Sequence, residues 1–401
     1  MENLYNRVSV LQHSYLHLLG RLPDWNGFLH YLQMPYAETE FASRIMDSDE
    51  YVNVNAACAS VAAKLAPYEG YRRVLLFGAF GNGNLGDRIM ANAVAKQFEA
   101  DGMTICFAYS VLNSAPYPFP PERQLDASHL PFNMRVLSQF DALIIGGGGL
   151  LAHPHDPLWD PIWPYLVPIP YGLFSCGASN PLDPRLHNLV CCATVASARD
   201  ASGQQALDAV HSDNSMLCPD PVMIFRNTNS AERIPSRGTL YILRGPLSDW
   251  HHALRQQIGK NDAVAVFEAH IDHDIMSCFD RVEPINSLSR FEVLVRDFAV
   301  VVSERFHGVI LALMEGVPAY GITRDSNSQK MDSLFDQLSI NKYLKSSEDT
   351  SFTFLPYDLS EVLRQLSTIR EMAQNTYRSF MDRLIPPIGN LEKPLTLDDL
   401  R

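Results

Sequence analysis

The chain has 401 residues, 46% of them hydrophobic, and a formal net charge of −13. That length exceeds one ordinary core and predicts two or three domains, while the acidic balance excludes nucleic acid as a main partner, because binding a phosphate backbone needs a basic face. Seven cysteines without a C-x-x-C pair or regular spacing exclude a disulfide framework and a structural zinc site, and no apolar run reaches the ~18 residues of a membrane span. A cytoplasmic protein is expected, with any membrane association peripheral.

Residues 1–66 carry helical periodicity and almost no strand signal. Leu11, Tyr15, Leu18 and Leu19 form one apolar stripe, Phe41, Ile45 and Met46 form another, and Gly20–Gly27 reads as a turn. A small all-α cap is predicted, and a chain beginning near Glu69 is expected to fold without it. The stretches LLGRLPDWNGFLHYL and FASRIMDSDEYV resemble a short helical module that accompanies glycan-related and extracellular-matrix proteins.

The pattern changes after Pro67. Tyr71–Phe77 predicts a strand that runs into a glycine-rich turn and a helix from Arg88 through Phe98. Gly81, Gly83 and Gly86 satisfy G-x-G-x-x-G, but the next strand, Met103–Tyr109, ends without the acid that would hold a ribose diol, which argues against a dinucleotide. Asn84 and Asp87 either face a ligand or cap the helix. A second strand, Asp141–Gly149, also ends in glycines, where Gly147 and Gly148 let backbone approach a ligand. In the following loop, Leu150–Tyr171, Trp159 and Trp163 either stack on sugar faces or pack locally, and His153 and His155 are placed to bond hydroxyls. Neither His153-x-His155 nor His270 with His273 completes a ligand set, so no metal is expected.

Further strands are predicted at Pro170–Cys176, Leu189–Ala193 and Met216–Leu217, with a helix opening at Ser197 and running through Val210. Arg199 is either a second cationic site or the partner of Asp200. Asp220-Pro221 closes this half, and Asn227–Gly238 reads as a linker. Thr239–Arg244 is a strand ending in an arginine, followed by a helix to about Ile258 and a strand at Ala263–Phe267. The run Phe298–Ser303 is β-branched and continuous, as a strand covered on both faces should be. It is followed by Phe306, Val309, Ile310, Leu313 and Met314 at helical spacing, then by the stop signals Gly316 and Pro318. Glu304, Arg305 and His307 therefore sit at a strand-to-helix mouth, where open α/β sheets bind ligands and a helix N-terminus favours an anion. For Arg305 the alternative is a pair with a nearby acid. Lys330 falls on another amphipathic helix, and a long helix is predicted over about Ser360–Leu384. The expected fold class is α/β, with a helical module at 1–66, Rossmann-like domains at 71–232 and 238–345 facing across a cleft, and a C-terminal helix and tail at 346–401.

The ordered set GNGNLGD (81–87), GGGGLL (146–151), ARD (198–200), PDP (219–221) and SERFHGVILALMEGVP (303–318), with the later Lys330, resembles the polysaccharide pyruvyl transferase family. The resemblance covers roughly residues 71–345. It implies a GT-B-like fold and transfer of pyruvate from phosphoenolpyruvate to two sugar hydroxyls, giving a cyclic ketal and phosphate. It also places Arg305, His307 and Lys330 at the donor site, and it implies acceptors that are surface or extracellular glycans, lipid-linked precursors among them.

The residues suit that chemistry. A small, highly charged anion calls for cations, and Arg305, Lys330, Arg199 and Arg244 are candidates, with Asn84, Gly147 and Gly148 beside them. Protonating the donor methylene and deprotonating a hydroxyl requires one acid and one base, with no cofactor beyond phosphoenolpyruvate as co-substrate. His307 is the first choice for the acid, Asp87 is a candidate for the acceptor hydroxyl, and Glu304 is an alternative to either. Trp159, Trp163, His153 and His155 are the acceptor candidates. Two other readings are a nucleotide-sugar-dependent glycosyltransferase and a non-catalytic glycan-binding or assembly protein.

Overall fold

Two parallel sheets, each wound with helices, form the body of the molecule. The computed structural model describes residues 2–34, 37–81, 84–110, 119–152, 158–211, 213–225, 235–267, 272–324, 328–348 and 355–385. The first sheet contains β1 (Arg72–Gly78), β2 (Thr104–Ser110), β3 (Gln124–Leu125), β4 (Ala142–Leu151), β5 (Tyr171–Ala178), β6 (Val195–Ala198) and β7 (Met216–Leu217), in the order β3-β2-β1-β4-β5-β6-β7. The second contains β8 (Arg237–Ile242), β9 (Ala263–Val266), β10 (Val282–Pro284), β11 (Phe298–Ser303), β12 (Ala319–Thr323) and β13 (Leu344–Ser346), in the order β10-β9-β8-β11-β12-β13. Each repeats the Rossmann winding, in which the chain starts at the middle, builds outward on one side and then crosses to the other. Together they make the two-domain, GT-B-like arrangement. The central strands are apolar runs because helices cover both faces: Val74 to Phe77 and Ala142 to Ile145 are buried throughout, paired so that Phe77 lies opposite Tyr109 on one side and Ile145 on the other.

Two expectations need correction. Leu189–Ala193 is not a strand. Its apolar residues belong to the helix His187–Cys191, and the strand is the next run, Val195–Ala198. A short apolar segment has no period that separates the two states, so the shift was invisible in the sequence. The helix expected from Ser197 begins instead at Ala201, where Asp200 caps it by accepting the Gly203 N–H.

The N-terminal helices divide between two cores. Glu2–Leu19, Trp25–Gln33 and Glu38–Met46 share a core of Leu11, Tyr15, Leu19, Tyr31, Phe41 and Ile45, while Met46 is exposed. The fourth helix, Asp49–Leu65, instead turns Ala57, Val61 and Leu65 into the same core as Leu75, Phe77 and Phe107 of the first sheet. The module thus shares a core with the body through its fourth helix.

The two α/β domains are joined by apolar packing. Leu85, Ile89 and Met90 from the first, with Val222 and Met223, lie in one core with Ile242 and Leu243 of the second. The long C-terminal helix Leu359–Leu384 straps them: Val362 and Leu366 pack with the second domain, and Ala373, Tyr377, Phe380 and Leu384 with the first. Among the described residues no helix is long and apolar enough to cross a membrane.

Candidate active site

Strand order reverses between β1 and β4 in the first sheet and between β8 and β11 in the second, which opens a crevice at the carboxyl ends of each pair. The two crevices meet in one cavity of about 280 Å³. It is lined from the first domain by Asn84, Asp87, Gly148 and Arg199, and from the second by Arg244, Glu304, Arg305, His307, Arg324 and Lys330.

The first wall is made of loops and helix starts. Asn84 caps the helix Leu85–Phe98 by accepting the Gly86 N–H at 2.9 Å, and Asp87 follows in its first turn. Gly147 and Gly148 have φ of +76° and +82°, a left-handed backbone that a side chain would strain, so β4 ends in glycine for conformational reasons. Of the two, Gly148 lines the cavity. Gly147 lies against Met90, where even a methyl group would crowd the sulfur, and it does not line the cavity.

The second wall grows from β11, whose end at Ser303 leads directly into the helix Phe306–Met314. His307 stands in its first turn. The imidazole Nε2 lies 3.3 Å from Oδ2 of Asp220, a long and poorly aligned contact, and the opposite side of the ring packs on Gly86, where a methyl group would overlap it. Asp220 is fully buried. Burial opposes its charge, but His307 and Arg199 outweigh that penalty and hold the carboxyl below its ordinary range. A second-domain histidine thus lies between two first-domain residues, with a buried carboxylate within ion-pair reach of its Nε2.

Glu304 takes a different role from the acid or base expected of it. Its buried carboxylate accepts the Arg244 backbone N–H at 2.8 Å, the His251 Nε2–H at 3.0 Å and the Arg324 Nε–H, and the Arg324 and His251 partners keep it ionised despite burial. His251 accepts the Ser248 N–H on Nδ1, which puts its proton on Nε2, toward Glu304. A carboxylate so saturated has no proton to give near neutral pH. It acts as the anchor that fixes Arg324, whose Nη1 also donates to the Pro246 carbonyl.

The cations divide in the same way. Arg305 donates from Nη2 to both oxygens of the buried Asp272, at 2.8 and 2.6 Å, so the pairing left open from the sequence is present. Arg199, by contrast, is buried with its guanidinium over the Phe306 ring and 3.9 Å from Asp220, and its Nη2 has no hydrogen-bond partner among the described residues. Its expected partner Asp200 is a helix cap instead. Lys330 is pushed down to about 8, first by burial and then by Arg199 and Arg244, with Asp87 pulling the other way. These shifts place Lys330 electrostatically beside both arginines.

Neither Trp159 nor Trp163 lines this cavity. Trp163 is buried and donates its indole N–H to the Phe132 carbonyl, and half-buried Trp159 lies under the Arg185 guanidinium. Arg185 thus covers one face of Trp159, while Trp163 lines a second cavity beneath the N-terminal helices. His153 and His155 lie outside the described residues. Asp220, His251 and Arg324 were missed. Asp220 carried a signal in the PDP motif, but Arg324 follows β12, a strand that was not predicted, and nothing in sequence marks His251 as its neighbour.

A two-domain α/β protein with an anion-ready cavity between facing sheets is the class that fold and site define. The chain belongs to the polysaccharide pyruvyl transferase family, whose model matches residues 84–326 and so spans both crevices, with Lys330 just beyond. No curated protein sequence matches the chain significantly. Among solved structures, it is similar to a putative UDP-N-acetylglucosamine 2-epimerase from Listeria monocytogenes (10% identity, 81% of this chain and 92% of that one, TM-score 0.48). It is also similar to S. aureus MnaA in a co-structure with UDP (10% identity, 76% and 91%, TM-score 0.46) and to the UDP-GlcNAc 2-epimerase of Methanocaldococcus jannaschii (7% identity, 77% and 99%, TM-score 0.47).

Proposed function

We propose that the protein transfers pyruvate from phosphoenolpyruvate to two hydroxyls of a sugar in a surface or extracellular glycan precursor, forming a cyclic ketal and releasing phosphate. The observation that carries this reading is the pairing, in one small cavity, of a cation cluster with a histidine that has a buried carboxylate beside it. Phosphoenolpyruvate presents a carboxylate and a phosphate close together, and Arg199, Arg244 and Lys330 supply the charges to receive them. The imidazolium of His307, steadied by Asp220, protonates the donor methylene, which becomes the methyl group. Positive charge develops at the adjacent carbon, where a sugar hydroxyl adds and gives its proton to a base, with Asp87 the nearest candidate on the first wall. The carbon–oxygen bond to phosphate then breaks, phosphate departs, and the second hydroxyl closes the ketal. Of the two hydroxyl protons lost, one balances the methyl group and the other leaves with phosphate.

Incubation with phosphoenolpyruvate and a panel of galactosides, glucosides and N-acetylmannosaminides, followed by mass spectrometry, tests this. The expected result is phosphate release only with a diol-bearing acceptor, and a product whose mass gain is that of a ketal-linked pyruvate. Turnover of a nucleotide sugar with phosphoenolpyruvate untouched would instead establish the glycosyltransferase reading.

A further inference from the structure

Beneath the helical module lies a second cavity that the proposed chemistry does not use. At about 820 Å³ it is larger than the first. One wall comes from the module, with Arg21, Leu22, Asp24 and Asn53, and the other from the first α/β domain, with Tyr109, Phe132, Asp160 and Ile162. Tyr109 lies at the carboxyl end of β2 and Phe132 follows β3, so this groove opens on the same sheet edge as the active site, one or two strands away from β1. At about 4.8 Å per strand, that offset is on the scale of one or two sugar rings.

The walls are fixed to one another. The Asn133 amide donates to the Leu19 carbonyl at 2.5 Å, the Met134 N–H to the Gly20 carbonyl at 3.1 Å, and the Arg135 guanidinium to Leu18 and Asn55. Gly20, at φ +66°, lets the chains approach so closely that a methyl group there would overlap Asn133. Leu130, which also lines the groove, is held at φ +47°, a region a leucine enters only when its surroundings impose it. A groove so braced does not have to be assembled by its ligand.

Its surface mixes flat apolar groups, such as Pro23, Phe132 and Ile162, with groups that bond hydroxyls, such as Asp24, Asn53 and Asp160. A sugar ring offers the matching surfaces, C–H on its faces and O–H around its rim. Charge narrows the class. Asp24, Glu50 and Asp160 stand against the one guanidinium of Arg21, which Glu50 already engages through both oxygens, so an acidic glycan would meet repulsion.

We propose that this groove binds the non-reacting sugars of the acceptor, as a neutral or N-acetylated oligosaccharide. Eight of the nineteen residues that line the groove lie outside the family match, so the helical module selects the acceptor for a catalytic body of general design. The inference rests on the pyruvyl-transfer reading for the location of the reacting sugar, but its test does not require turnover.

The test measures binding of the full chain to an array of neutral, N-acetylated and uronic-acid oligosaccharides, from mono- to hexasaccharide, alongside Asn53→Trp and Ile162→Trp, both at exposed positions. Neutral or N-acetylated chains are expected to bind about tenfold or more tighter than their monosaccharides, a gain that either tryptophan abolishes while monosaccharide turnover stays unchanged. Absence of any length preference, its persistence in both variants, or a preference for uronic acids would overturn the proposal. Length-dependent binding lost in the variants, with phosphoenolpyruvate never consumed, would leave the groove standing and remove the reaction.

Discussion

The two walls of the active site recognise by different means. Apart from Arg199, the first-domain wall offers backbone and short polar groups, where Asn84 caps a helix and Gly148 keeps the floor low. The second-domain wall offers long charged side chains, and these stand in place because buried carboxylates hold them: Glu304 under Arg324 and Asp272 under Arg305. Glycine on one side makes room for side chains on the other. Gly86 is the clearest case, since a methyl group there would occupy the space of the His307 ring. The walls interlock at His307, so domain packing and placement of the proposed acid are one feature of the fold.

The sharpest way to break that interlock is at His307 itself. His307→Asn should lower turnover by about a hundredfold or more while donor affinity stays within a few-fold, because a proton donor matters mainly while bonds are changing. Asp220→Asn should also cut turnover, because it removes the carboxylate that lies beside the imidazole. Near-normal turnover in His307→Asn would reassign His307 to structure or binding.

The next comparison is between an anchored cation and one with bonding capacity to spare. Arg199→Ala should weaken donor binding by about 1.5–3 kcal/mol, as loss of a charge-assisted hydrogen bond does, with a smaller effect on stability. Arg305→Ala should instead lower stability by about 3–5 kcal/mol, because it strips a buried carboxylate of its partner, and Asp272→Asn in that background should recover part of the loss. Calorimetric donor titration and denaturant unfolding of both variants decide the matter. Equal donor defects with equal stability would abolish the distinction between the two arginines.

What could be read from sequence follows from how local each signal is. β11 and the helix after it were legible because a strand covered on both faces must be apolar throughout, and a helix packed on a sheet must repeat every three or four residues. The gathering of Asn84, Gly148, Arg244, Arg305 and His307 was legible from one rule about strand ends, whereas Lys330 came from the family resemblance and Arg199 from a helix start. The roles within that gathering were hidden, because they depend on partners distant in sequence: Glu304 on His251 and Arg324, Arg305 on Asp272, His307 on Asp220. Short strands such as Val282–Pro284 and Leu344–Ser346 have too few residues to show alternation. The fourth N-terminal helix was assigned to a cap because its small stripe of Ala57, Val61 and Leu65 gives no hint of which core it enters.

The smallest expected effect tests whether the cation cluster works as a unit. Lys330 stands at about 8 rather than its ordinary 10.5, chiefly through burial and then through the repulsion of Arg199 and Arg244. Only its protonated form attracts the donor, so donor affinity should be level below about pH 8 and fall by up to about tenfold per pH unit above it. Folding responds with the opposite sign. Between pH 8 and 10.5 the unfolded chain holds a proton that folded Lys330 has released, so raising the pH through that window should favour the ligand-free folded state. Lys330→Met should remove both responses, and Arg199→Ala should move the inflection in affinity to higher pH by relieving the repulsion. Donor titrations from pH 7 to pH 10 on the three proteins measure this. An inflection unmoved by Arg199→Ala would mean that burial alone sets the lysine and that the two cations act independently.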